Sequence, residues 1–477
     1  MTIAFSALVL FLPLALSRGP GGPRDTAHTT HPPAVNFAHL EHLMERIRLG
    51  SDSVTIVHIY ANYPDYHWVS AAESGPEGVA CVDDAARAAL LFMRDWEVRG
   101  DRASLARARG LLAFVGAMQA PDGEMYNFIL SDHSINRDGK TSFKSFGWWA
   151  VRGLAAMAKG AVVFGRKDPA YARALIERVR RMLPHVDSLM AGYGECTTVR
   201  GFRVPRWLLY GSGADVTSEL VLGLLDYRKA TRDTSRDTAV RRLAEGIEIM
   251  QDGDSLHPPY GLHRSWETVW HMWGNAQTEA LAAAGVLLHD RRALASAERE
   301  ALGWYARLLM DGFLKELDVA GASPPAEFEQ IAYGVRPMAL GLLNLYEATH
   351  RKEYLVMAGL AASWLTGNNA ARRPMYDPAT GRCLDGIRDS VTLNMNSGAE
   401  STIEALATLL EVRRYPGAAA YLGCTRIASG SLDGVAYALF RSRAGAEATL
   451  TRDGATGRFT VFTGERSRAF CRERGIR

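Results

Sequence analysis

The chain has 477 residues, of which 47% are hydrophobic and 22% charged, and it contains 45 Gly. That composition excludes a disordered, collagen-like or disulfide-stapled polypeptide and leaves a chain able to bury a large core. The 55 Lys and Arg against 52 Asp and Glu, with no basic block, give a net charge of +3, which points away from nucleic acid and toward a neutral or weakly charged partner.

Residues 3–16 form an apolar run closing on Ala15-Leu16-Ser17, a small-x-small cleavage pattern. Residues 1–17 are therefore expected to be a signal peptide and the chain to be secreted or periplasmic. The run is shorter than the roughly 20 residues of a membrane span. No other such segment follows, so an N-terminal anchor is the one membrane contact the sequence leaves open. Residues 18–36, rich in Gly and Pro, read as a linker.

From residue 37 helical periodicity dominates, broken by Gly, Pro and Asp clusters. An amphipathic helix is expected over 37–49. Helical stretches then come in pairs: 82–98 with 101–119, 145–164 with 168–189, 215–230 with 235–250, 275–288 with 291–313, and 329–348 with 352–365. The stretch 399–413 has no downstream partner, and the helix at 37–49 is expected to pack against it and close six hairpins into a ring. First members are small and apolar, such as Ala280-Leu281-Ala282-Ala283-Ala284, and second members are rich in Arg, Glu and Asp. First members should line the ring and second members face water. The expected fold is mainly α, an (α/α)6 toroid over 37–414, followed by a small β-rich region over 415–477 whose last dozen residues look unpatterned.

Chemistry in such a ring belongs where inner helices begin, because loops converge there over the cavity. These starts carry Cys81-Val82-Asp83-Asp84-Ala85-Ala86-Arg87, Lys144-Ser145-Phe146-Gly147-Trp148-Trp149, Trp273-Gly274-Asn275-Ala276-Gln277, Glu327-Phe328-Glu329-Gln330-Ile331-Ala332-Tyr333 and Gly398-Ala399-Glu400. A ring with acids and aromatics at one end resembles the six-hairpin, or (α/α)6-barrel, glycosidase superfamily. The stretch from Gly367-Asn368-Asn369 through Met375-Tyr376-Asp377 to Asn396-Ser397-Gly398-Ala399-Glu400 is similar in layout to the end of cellulase-like members. That resemblance implies carbohydrate hydrolysis, usually with inversion, and a catalytic Glu at position 400.

Glycoside hydrolysis needs one carboxylic acid to protonate the leaving oxygen and one carboxylate to activate water. Asp84 or Asp83 facing Glu400 across the ring seam would provide the pair, in either assignment, with Glu327 and Glu329 as competing acids. Asp83 and Arg87 are also spaced as an i,i+4 ion pair, and either Asp can stabilise a helix start. Sugar rings stack on aromatics and their hydroxyls need amides and cations. Arg87, Tyr126, Asn127, Lys144, Trp148, Trp149, Trp273, Asn275, Gln277, Gln330, Tyr333 and Tyr376 are therefore the expected substrate contacts.

No cofactor is expected. His257, His263 and His271 lack the tight spacing of metal ligands, and the five Cys show no CxxC. Two other functions suit the same ring: a polysaccharide lyase or sugar epimerase working through His, Tyr or Arg, and a toroid that binds glycan without reaction. The partner in every case is a carbohydrate, not nucleic acid.

Overall fold

A computed structural model describes residues 33–72 and 76–476. The N-terminal apolar run and nearly all of the linker lie outside the described residues. Six inner helices form the ring: α2 (Val82–Arg99), α4 (Trp148–Phe164), α6 (Ala214–Thr231), α8 (Gln277–Leu287), α11 (Ala332–Thr349) and α13 (Ala399–Arg413). Each packs against the next, and α13 packs back against α2. Ala- and Gly-rich sequences let these helices approach closely, and their side chains are buried nearly all round.

The outer layer is α3 (Arg102–Ala117), α5 (Pro169–Ala191), α7 (Asp237–Ile249), α9 (Arg291–Glu300) and α12 (Glu353–Ala362). The Asp residues before three of them are N-caps. Asp101 accepts from the Ala103 amide at 3.0 Å, Asp168 from Tyr171 at 3.0 Å and Asp290 from Arg292 at 3.0 Å. The expected long helix after Arg291 is divided: a π-helical turn over Ala301–Tyr305 leads into α10 (Ala306–Asp311).

The sixth outer element departs from expectation. Residues 37–49 are not one helix; α1 (Ala38–His42) is followed by strand β1 (Met44–Leu49), paired antiparallel with β2 (Asp52–Val57). The β-branched run Val54, Thr55, Ile56, Val57 and the turn at Gly50, with φ of +60°, outweigh the helical pattern. Ile47 and Val54 pair across the strands and are both buried. The ring still closes at the expected place, because α1 packs on α13 and the His39 ring bonds the Ser397 carbonyl at 2.9 Å.

Strand β2 lies on α3 at Gly110, where an added Cβ would come within 2.3 Å of Thr55 Oγ1. Replacing Gly110 by alanine is expected to destabilise the protein by about 1–3 kcal/mol in denaturant unfolding, although alanine favours helix, because the Thr55 side chain must move aside.

Four antiparallel strands in sequential order, Cys424–Leu432, Val435–Ser442, Glu447–Asp453 and Phe459–Thr463, form the C-terminal sheet. The segment after it is not unpatterned: Glu465–Glu473 is a helix, α15, whose Phe470 and Cys471 pack on Leu439. The sheet rests against α10 and α12, and with the short helix α14 (Pro416–Ala419) it covers α12. That explains why α12, expected to be solvated, is buried from Tyr354 to Ala362. Among the described residues no helix is long and apolar enough to cross a membrane.

Candidate functional site

Every inner helix sends a charged group into the barrel near its start, and three buried arginines tie them together. Arg87 of α2 donates through Nη2 to Asp84 Oδ1 at 2.6 Å and through Nη1 to Glu400 Oε2 at 2.9 Å and Glu404 Oε1 at 3.4 Å. It thus bridges the seam between α2 and α13. Arg152 of α4 donates to Asp83 Oδ1 at 2.8 Å and bonds the Tyr333 hydroxyl of α11. Arg336 of α11 bonds Glu404 and lies 3.5 Å from both Glu219 of α6 and Glu279 of α8. A guanidinium this deep is tolerated because carboxylates surround it.

The two adjacent Asp residues separate by role. Asp84 is buried; Cys81 Sγ lies 3.4 Å from its second oxygen, and burial raises its pKa against the pull of Arg87. Asp83 stands higher, its side chain 18% exposed, with the Asn127 amide donating to it at 3.3 Å. The same Asn127 accepts from the amides of Val82 and Asp83, capping α2 where Cys81 offers no cap. Glu400 opens furthest, with its side chain 43% exposed.

Aromatic rings stand around these acids. Trp148 covers Arg152, with the guanidinium carbon 4.9 Å from its ring centre, and Tyr333 covers Arg87 at 5.0 Å. Trp273 stacks on His271 with centroids 4.0 Å apart. His271 donates from Nδ1 to the Trp273 carbonyl at 2.8 Å, and its Nε2 is 3.0 Å from Asp215 Oδ2. Trp266 also donates to Asp215, at 2.7 Å. Acids and aromatics thus share one mouth.

Solved structures with the same arrangement of helices include two sugar epimerases. A cellobiose 2-epimerase from Bacillus thermoamylovorans is 11% identical over 79% of this chain and 95% of its own, with a TM-score of 0.56. A sugar epimerase from a ruminal bacterium is 11% identical over 75% of this chain and 92% of its own, with a TM-score of 0.53. The chain shares their (α/α)6 toroid fold. The family 9 endoglucanase J30 also aligns, at 16% identity over 76% of this chain and 74% of its own, with a TM-score of 0.45. No protein-family model matches the chain.

Several of the other expected contacts are engaged within the protein. Lys144 pairs with Asp122 and Glu124 toward the outer layer. Trp149 is buried and donates to the Met125 carbonyl at 2.6 Å. Gln330 is buried, donates to the Phe313 carbonyl at 3.0 Å and accepts from Trp364. Tyr376 ties down the N-terminal segment, its hydroxyl bonded to the Asn36 amide and the Ala34 carbonyl, both at 2.9 Å. Gln277 is fully buried beside the Arg264 carbonyl. Tyr126 carries the Arg137 guanidinium 4.6 Å over its ring. Asn275 is buried beside Trp273, and its Oδ1 finds no partner.

Glu327 and Glu329 precede α11 instead of starting it. Glu327 is exposed, while Glu329 is half-buried, with burial raising its pKa against Arg388 and Lys315. His257 and His263 lie apart from His271: His257 is exposed beside Asp254, and His263 is buried between Glu300 and Ser296.

Arg152, Arg336, Glu279 and Glu404 escaped the sequence reading. Their signal is a lone charge inside a run of small apolar residues, as in Ala150-Val151-Arg152-Gly153-Leu154 or Gly334-Val335-Arg336-Pro337-Met338. Glu404 also follows Glu400 by one turn.

Burial pushes the Glu279 carboxyl up to about 8; Arg336 opposes this, while Glu219 and Glu404 reinforce it. Between its ordinary value of 4.5 and about 8 the folded chain binds a proton that the unfolded chain does not. Stability from this group is therefore full at low pH and lost as pH rises toward 8. Denaturant titrations should show Glu279→Gln with a shallower fall than wild type between about pH 6.5 and 8; equal slopes would contradict the assignment.

Proposed function

We propose that the protein is a glycoside hydrolase acting on a neutral oligo- or polysaccharide by acid and base catalysis. The observation that carries this reading is Glu400, a half-exposed carboxylate fixed at the mouth of the ring by Arg87 through one oxygen. A base of this reaction needs a carboxylate with room beside it for water. Glu400 has that room. Asp84, enclosed by Arg87 and Cys81, does not. Asp83 and Asp84 then serve as fixed negative charge beside the oxocarbenium-like transition state, held in place by Arg152 and Arg87.

Trp148 and Trp273 supply faces for sugar rings. Carboxylates outnumber guanidiniums in the cluster, which disfavours uronic acids and other anionic sugars. The N-terminal apolar run, read as an export signal, would deliver the enzyme to where polysaccharide is met. A lyase or epimerase would instead need a proton acceptor such as Tyr333. That phenol is buried, its pKa pushed up by burial, and bonded to Arg152.

Reducing-end release across a panel of neutral polysaccharides tests the reading; activity on at least one is expected, and none on any of them would overturn hydrolysis. Proton NMR of the first product tests the course at carbon 1: the anomer opposite to that of the cleaved bond is expected, and the same anomer would contradict inversion.

A further inference from the structure

On this reading one carboxyl group remains to be found, the one that gives a proton to the leaving oxygen. Asp385 lies on the segment before α13. Its Oδ1 accepts from the Gly398 amide at 2.7 Å and from the Ser401 hydroxyl at 2.6 Å, which fixes it on either side of Glu400 in sequence. A Cβ added to Gly398 would meet Asp385 Oδ1 at 3.5 Å and the Tyr60 ring at 3.4 Å, so acid and ring flank the same helix start. Tyr60 is 39% exposed and Asp385 is half-buried, so this corner reaches solvent.

We infer that Asp385 is the general acid of the glycoside hydrolase, acting with Glu400 as base. As the glycosidic C–O bond breaks, its electron pair passes to the leaving oxygen, which takes the proton of the Asp385 carboxyl. Water adds its oxygen to carbon 1 and loses a proton to the Glu400 carboxylate. The two carboxyl groups return to their starting states by exchanging protons with solvent.

The surroundings suit a proton carrier. Burial, reinforced by Glu400 and Glu329, pushes the Asp385 carboxyl up to about 6, against the two hydrogen bonds it accepts. Tyr60, Tyr66 and Cys383 feel the charge of Asp385 in turn, and Arg388 and Lys315 act on the neighbouring Glu329.

The experiment uses paired aryl glycosides, phenyl and 2,4-dinitrophenyl, of the sugar released in the polysaccharide panel. Dinitrophenolate leaves without a proton and phenolate does not. Asp385→Asn should lose about 10²–10⁴-fold on the phenyl glycoside and less than about tenfold on the dinitrophenyl one. Equal losses on both, or none, would overturn the inference while leaving hydrolysis by the wild type intact. The wild-type pH profile covers a variant that fails to fold. Activity on the phenyl glycoside should fall as pH rises through about 6, and a profile level from pH 5 to 8 would overturn the assignment. A wild type that hydrolyses nothing removes the proposed function and this inference together.

Discussion

Replacing Arg336 by methionine is expected to destabilise the protein by about 3–5 kcal/mol, a larger effect than removal of any single surface charge. Arg336 joins three inner helices: it bonds Glu404 of α13 and approaches Glu279 of α8 and Glu219 of α6. Burial works against its charge and the three carboxylates outweigh that, so its pKa is raised. Methionine fills similar space but leaves Glu404, which is fully buried, with Arg87 at 3.4 Å as its remaining cation. The penalty is that of stranded carboxylates, not of a lost contact, so it can be relieved from the other side. The double variant Arg336→Met with Glu404→Gln should recover part of the loss in denaturant unfolding. If it is as unstable as the sum of the two single variants, the ionic cluster is not the cause.

The second large effect falls on activity. Glu400→Gln should lower turnover by about 10²–10⁴-fold while the unfolding midpoint changes little. The amide keeps an oxygen for Arg87, and the side chain is already half in water, so stability has little reason to change. It cannot take a proton from water. An accompanying collapse of stability would make Glu400 a structural partner of Arg87 and nothing more.

The ring itself was legible in the sequence because it rests on repetition: small apolar helices alternating with charged ones at a regular interval encode an inner and an outer layer directly. The sixth outer element was not, since residues 44–49 carry a pattern compatible with helix and acquire their strand character from β2, which pairs with them. Burial of α12 depends likewise on the C-terminal sheet laid over it, a contact that residues 353–362 do not announce.

The charged cluster was legible in part. Asp83, Asp84, Arg87, Trp148, Tyr333 and Glu400 come together because they lie in the first turns of inner helices, and Trp273 joins them from the loop before α8. Trp149, one residue beyond Trp148, faces the core by helical geometry alone. Asp385 could not be found this way. It starts no helix, and its place beside Glu400 arises from a loop folding back onto Gly398 and Ser401.

The central claim, that this toroid adds water across a glycosidic bond, is tested most directly by incubating the protein with the saccharide it acts on in water enriched in oxygen-18 and weighing the products by mass spectrometry. Hydrolysis predicts shorter products carrying one oxygen-18 at the new hemiacetal end, generated faster than ordinary exchange and reduced with Glu400→Gln. Products of unchanged mass, or unsaturated fragments without the label, would contradict it and assign the ring to epimerisation or elimination.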